Sequence, residues 1–213
     1  SKKIYDLMYI STFRDTYLNP PKKIDIFNFG NWVKNEIIFL EWLHRYCKAN
    51  DRHLTVLGAS LVNKEKAIKE KNFFKKIFND INWKFIERTR KRNTYRIIDK
   101  AFMLLGVDST LAYEAFGRRL RVGFFGIRGS EYQLGSRKFG WPDKFKNKGP
   151  FWTNHLLEKE FERVIVNLTN YSSEQWQKIL DKYQERVHSY NFSNALLRKL
   201  IKKNLKITEQ VKK

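Results

Sequence analysis

The chain has 213 residues, 43 Lys and Arg against 22 Asp and Glu, and a formal net charge of +21. Hydrophobic residues make up 42% of it and aromatic residues 15%, enough to bury a core and to exclude a disordered polyelectrolyte. The length holds one large domain, with or without an extension, and the charge points to anionic partners without choosing among nucleic acid, anionic lipid and phosphorylated substrates.

Residues 4–11 (IYDLMYIS) read as a buried strand closed by a polar turn, and residues 12–31 as a long loop with Pro20, Pro21 and Gly30. Val33, Ile37, Leu40, Leu43 and Cys47 step by three or four, which predicts a helix over about 32–50. Residues 53–59 (HLTVLGA) form the second strand. Residues 63–78 form a basic amphipathic helix with Ala67, Phe74, Ile77 and Phe78 inward. A shorter strand over 83–87 and a short helix over 94–100 follow. The run 102–107 (FMLLGV) is almost wholly apolar, as in a central strand of a parallel sheet. A helix over 110–119 and a fifth strand over 121–127 come next. Residues 128–154 read as a long loop rich in glycine and aromatics. Helical patterns cover 155–168, 174–189 and 194–205, with Ser172 or Ser173 as N-cap of the second; the tail 208–213 is polar.

Strands alternating with helices imply βαβ units and a parallel sheet. The expected fold is α/β: a Rossmann-like, mostly parallel sheet of about five to six strands with helices on both faces. The lobe would span residues 1–170, and a C-terminal helical extension, 171–213, would pack on it. There is no internal repeat.

The segment from Gly106 to Glu114 carries the most chemistry. A buried strand ends at Val107, the polar turn Asp108-Ser109-Thr110 follows, and a helix begins. The first N–H groups of a helix lack intrahelical acceptors, and open α/β sheets bind ligands at this edge. With the hydroxyls of Ser109 and Thr110 beside them, they make a seat for a phosphate. Glu114, one turn further, could accept hydrogen bonds from a ribose. The plainer reading is that Asp108 or Ser109 is an ordinary N-cap and Glu114 an ordinary surface residue.

The run IIDKAFMLLGVDSTLAYEAFGRRLRVGFF (97–125) resembles the C-terminal lobe of GT-B glycosyltransferases that build bacterial surface carbohydrates, where a strand ends in an (S/D)-S-T-x-x-x-E turn. FGWPDKFKNKGPFWTN (139–154) resembles the loop after the next strand in that group. The resemblance covers about 87–154. It implies that Ser109 and Thr110, with Asp108 beside them, contact the phosphate of a nucleotide-sugar donor, that Glu114 contacts its ribose or base, and that transfer needs no metal or other cofactor. Enzymes of that group have two such lobes with the active site between them. A glycan or lipid-linked acceptor and an N-terminal lobe or partner chain are therefore also expected, and the catalytic group is left unassigned.

Other candidates follow from position. Ser11, Thr12 and Arg14 follow the first strand, and Arg88 and Arg90 the third, at the same edge of the sheet. The loop 128–154 is too long for a plain connector. Its Arg128, Tyr132, Arg137, Trp141, Lys148 and Trp152 are candidates for holding the donor or the acceptor, the aromatics by stacking. The alternative is that Trp141-Pro142 and Phe151-Trp152 plug the edge of the core.

The four histidines are scattered without metal-ligand spacing, and P-loop, dinucleotide-fingerprint, nucleophile-elbow and zincin motifs are absent. Cys47 is the only cysteine, which suits a reducing compartment. No stretch approaches the roughly 20 apolar residues of a membrane span, and residues 1–10 show no signal-peptide pattern. A cytoplasmic protein, peripheral to the inner face of the plasma membrane, is expected. Lys64, Lys66, Lys69, Lys71, Lys75 and Lys76 in one helix, and Arg198, Lys199, Lys202, Lys203 and Lys206 near the C-terminus, suit an anionic membrane surface. Transfer of a polyol phosphate from a CDP-activated donor is the close alternative. Nucleic-acid binding is disfavoured, because no such signature accompanies the charge.

Overall fold

The computed structural model describes residues 2–14, 17–18, 29–59, 64–88, 93–128, 135–188 and 195–205. Seven strands form one sheet in the order β3-β2-β1-β4-β5-β7-β6. They are β1 (Tyr5–Ile10), β2 (Leu54–Leu57), β3 (Trp83–Ile86), β4 (Ala101–Gly106), β5 (Val122–Phe125), β6 (Lys148–Gly149) and β7 (Trp152–Thr153). Every pairing is parallel except β6 with β7. The helices are α1 (Phe29–Ala49), α2 (Lys64–Ile77), α3 (Thr94–Ile98), α4 (Thr110–Gly117), α5 (Glu158–Asn170), α6 (Ser173–Val187) and α7 (Ala195–Leu205).

The fold is the α/β, mostly parallel arrangement expected, and the structure adds detail in two places. The sheet has seven strands rather than five or six. The long loop 128–154 is not structureless: it carries a short 3-10 turn at Gly135–Arg137 and both strands of the β6–β7 pair. β7 extends the sheet by pairing with β5, Phe124 opposite Trp152 and Phe125 opposite Thr153.

Burial explains the strand assignments. Leu54–Leu57 is buried at every position and β4 at all but one, as expected of strands covered on both faces. Alternation sends successive side chains to opposite layers. Phe125 meets Phe39 of α1 and Phe161 of α5, at ring-centroid distances of 4.4 and 5.7 Å. Its neighbour Phe124 meets Tyr113 and Phe116 of α4, at 4.8 and 5.9 Å. The two faces are thus covered by different helices. Helix α6 begins with a capping box: the Ser172 hydroxyl accepts from Gln175 N, and the Gln175 side chain accepts from Ser172 N.

Candidate functional site

The sheet order sets where a ligand would bind. From β1 the chain moves through β2 to β3 on one side, then crosses to β4 and moves through β5 to β7 on the other. The switch point lies between β1 and β4, and a crevice opens outside the carboxyl ends of strands at such a point. Ile10, the last residue of β1, stands beside Gly106, the last of β4, which stands beside Phe124 of β5. The turns after these strands carry three of the predicted groups: Ser11, Thr12 and Arg14 after β1, Asp108–Thr110 after β4, and Arg128 and Arg137 after β5.

A buried polar network joins the first and third of these. Glu36 of α1 is fully buried, and Arg128 is 6% exposed. Arg128 donates to Glu36 from Nε at 3.1 Å and also from Nη2. The same Nη2 donates to the Thr12 and Tyr17 hydroxyls. Tyr9 and Tyr17 donate to the Glu36 carboxylate, Tyr17 at 2.6 Å, and Thr12 donates to it at 3.2 Å. Burial and the Glu36 charge both push the two phenols up, so they stay protonated as donors. Burial works most strongly against the charge on Arg128, but the charge and hydrogen bond of Glu36 together with Tyr17 and Tyr9 outweigh it, and the guanidinium's pKa is raised. Arg128 is therefore a fixed cation at the carboxyl edge.

Asp108 brings the second turn into contact with the third. It adopts left-handed backbone, φ 54°, which Asp tolerates better than most residues. Its carboxylate accepts from Arg137 Nη1 at 3.0 Å and lies 3.8 Å from Arg128 Nη1. Ser109 stands at the N-cap of α4 in extended backbone, yet its side chain makes no capping bond. Its carbonyl accepts from Ala112 N at 3.0 Å. Ser109 thus takes the N-cap position of the plainer expectation, without a side-chain capping bond. A shallow cleft lies here, lined among others by Gly106, Asp108, Tyr113, Gly126, Arg137 and Lys138. Behind it, Asn154 is 6% exposed. Its Oδ1 accepts from Phe139 N at 2.9 Å, while its Nδ2 has no acceptor among the described residues.

Glu114 points to another group. It accepts from Tyr95 of α3 at 2.9 Å and shares an electrostatic environment with Arg88, which follows β3. Half-burial lowers the Arg88 pKa, with Glu114 and Glu70 pulling the other way, and Nε of Arg88 has no acceptor among the described residues. Glu70 is fully buried and accepts from Ala59 N at 2.8 Å, just past β2. Arg88 and Glu114, predicted separately, thus feel each other's charge.

Other predicted residues stand apart. Ser11 is buried, and its hydroxyl accepts from Phe13 N at 3.1 Å within its own turn. Trp152 is 3% exposed, its ring 4.8 Å from Phe139 and 5.3 Å from Tyr183, with Nε1 donating to Lys146 O. It is a core residue, so stacking on a sugar is corrected to the plug reading. Lys148 lies at the far edge of the sheet, paired with Glu160 at 3.4 Å. Trp141 is 62% exposed and open to stacking. Arg14 is exposed beside the first turn. Arg90 and Tyr132 lie outside the described residues.

Sequence reasoning missed Glu36, Tyr9, Tyr17 and Tyr95. One signal for Glu36 existed: it sits three residues after Val33 and four before Leu40, on the apolar stripe of α1. An acid there needs a buried partner.

A protein-family model described as "putative O-antigen biosynthesis protein" matches residues 1–205. The chain belongs to this family. The description connects it with surface-glycan biosynthesis and names no reaction. No curated protein and no solved structure matches the chain. Among the described residues no group of His, Cys, Asp and Glu could hold a metal ion, and no helix is long and apolar enough to cross a membrane.

Proposed function

We propose that this family member is the nucleotide-sugar-binding lobe of a GT-B-type glycosyltransferase in surface-glycan assembly. The observation that supports this most is the meeting of the Asp108-Ser109-Thr110 helix start with Thr12, Arg128 and Arg137 at the β1/β4 switch point. In this reading the start of α4 and the two arginines receive the donor diphosphate. Helix dipole and guanidinium charge are strongest toward the charge that develops on the leaving phosphate. Asp108 now holds the anion position between Arg128 and Arg137, and a donor phosphate would take its place. Glu114 and Arg88, on the β3 side of α4, would receive the ribose and base. A second lobe or partner chain would bring the acceptor and the catalytic base.

Isothermal titration with CMP, UDP, GDP and CDP tests the reading. One nucleotide is expected to bind, and Ser109→Ala and Glu114→Ala are each expected to weaken it by about tenfold, the effect of one hydrogen bond to a charged partner. Binding of none at millimolar concentration, or unchanged affinity in both variants, would sink the assignment.

A further inference from the structure

Helix α7 is built unlike the other long helices. Its sequence, ALLRKLIKKNL, holds four cations and no acid. At about 100° per residue, Leu197, Leu200 and Ile201 fall within an arc of roughly 100°, which Asn204 joins at its C-terminal end, and Arg198, Lys199, Lys202 and Lys203 fall on the opposite side. The three apolar side chains are 55, 47 and 43% exposed. Helix α2 is also lysine-rich, but Ala67 and Phe74 bury its apolar side in the core. Helix α5 buries Phe161, Val164, Ile165 and Leu168. Only α7 among these keeps an apolar stripe turned to solvent with cations along both of its borders.

We propose that α7 is an interfacial helix that lies in the plane of an anionic phospholipid surface, Leu197, Leu200 and Ile201 inserted among the acyl chains. Charge selects this occupant. A matching surface must be apolar along the centre of the helix from Leu197 to Ile201 and anionic on either side, as the interface of an anionic leaflet is. Arg198 and Lys203 border the stripe, where long side chains reach up to phosphate while their methylenes cover apolar surface. A second copy of α7 in the same place would set eight cations against one another with no acid between them. The inference stands apart from the donor site and holds whether or not that site binds a nucleotide.

The test is flotation of the full chain with vesicles of phosphatidylcholine alone and of equal parts phosphatidylcholine and phosphatidylglycerol. The chain is expected to float with the mixed vesicles only, less at high salt but not to zero. The triple variant Leu197→Ser, Leu200→Ser, Ile201→Ser keeps every charge and is expected to partition at least about tenfold more weakly, since three inserted side chains are lost. Unchanged flotation of that variant would reduce the effect to adsorption of a +21 protein and overturn the proposal. So would absence of flotation by the wild type, or a wild-type dimer that the variant turns into a monomer without vesicle binding. A second readout does not depend on how the variant folds. The Cys47 thiol is buried and pushed up to about 12, so an environment-sensitive label attaches selectively at Leu200→Cys. Its emission is expected to shift to the blue with mixed vesicles, and an unshifted emission overturns the insertion.

Discussion

Glu36 and Arg128 form an ion pair with side-chain exposures of 0 and 7%, held by three hydroxyls. Desolvating both charges costs several kcal/mol each, and only good geometry with further hydrogen bonds offsets it. The pair therefore fixes a geometry more than it adds stability: it holds α1 to the turns after β1 and β5, and presents a guanidinium beside Asp108. Glu36→Gln keeps the shape and removes the charge. It is expected to destabilise the chain by about 3–5 kcal/mol in denaturant unfolding, because the buried Arg128 is left with only Asp108, 3.8 Å away and shared with Arg137, as counter-charge. A loss under about 1 kcal/mol would mean that water reaches the guanidinium and the pair is in effect a surface one. At this scale the sequence was least informative. Arg128 reads as one cation in a basic loop, and its partner is 92 residues away. Thr12 was legible from its place after the first strand, whereas Tyr9 and Tyr17 read as core and loop because nothing local marks a buried carboxylate opposite them.

Between residue and fold stands the β4–turn–α4 unit. Gly106 ends β4 where α4 passes closest: a Cβ there would lie 2.6 Å from Ala112 Cβ. Helix and strand meet backbone to side chain, which sets the angle at which the start of α4 faces the cleft. Gly106→Val would overpack this contact. The expected cost is about 1–3 kcal/mol, read by thermal unfolding, with Gly126→Ala as a second crowded position, whose Cβ would meet Asn154 Oδ1 at 2.3 Å. No loss at Gly106 would mean that α4 rides on the sheet loosely. Elements of this kind were legible. The apolar run 102–107, the Asp-Ser-Thr turn and the following helix occupy the places their pattern predicts, with boundaries moved by a residue or two. Strands β6 and β7 were not legible, since two residues carry no periodicity. They exist because β5 offers an open edge and because Phe151 and Trp152 pack on Phe116, Phe139 and Tyr183.

For the whole molecule the question is whether α6 belongs to the sheet domain's folding unit. Its Trp176 is 5% exposed and meets Phe116 of α4 and Phe151 edge to face, at 6.0 and 5.8 Å. The indole donates to Arg119 O at 3.3 Å, and Gln184 Nε2 donates to Gly117 O at 2.8 Å. Arg119 in turn pairs with Asp181 at 2.8 Å. All of these seize the C-terminal end of α4, whose opposite end faces the candidate site, so stability of the extension and position of the site should be linked. Trp176→Ala removes the aromatic anchor and leaves a cavity among Phe116, Phe151 and Leu180. We expect a loss of about 3–5 kcal/mol in a single cooperative transition that far-UV and near-UV circular dichroism report at the same denaturant concentration. Should α6 instead fold as a separate unit, the substitution would split the transition in two and leave the larger part at the wild-type midpoint.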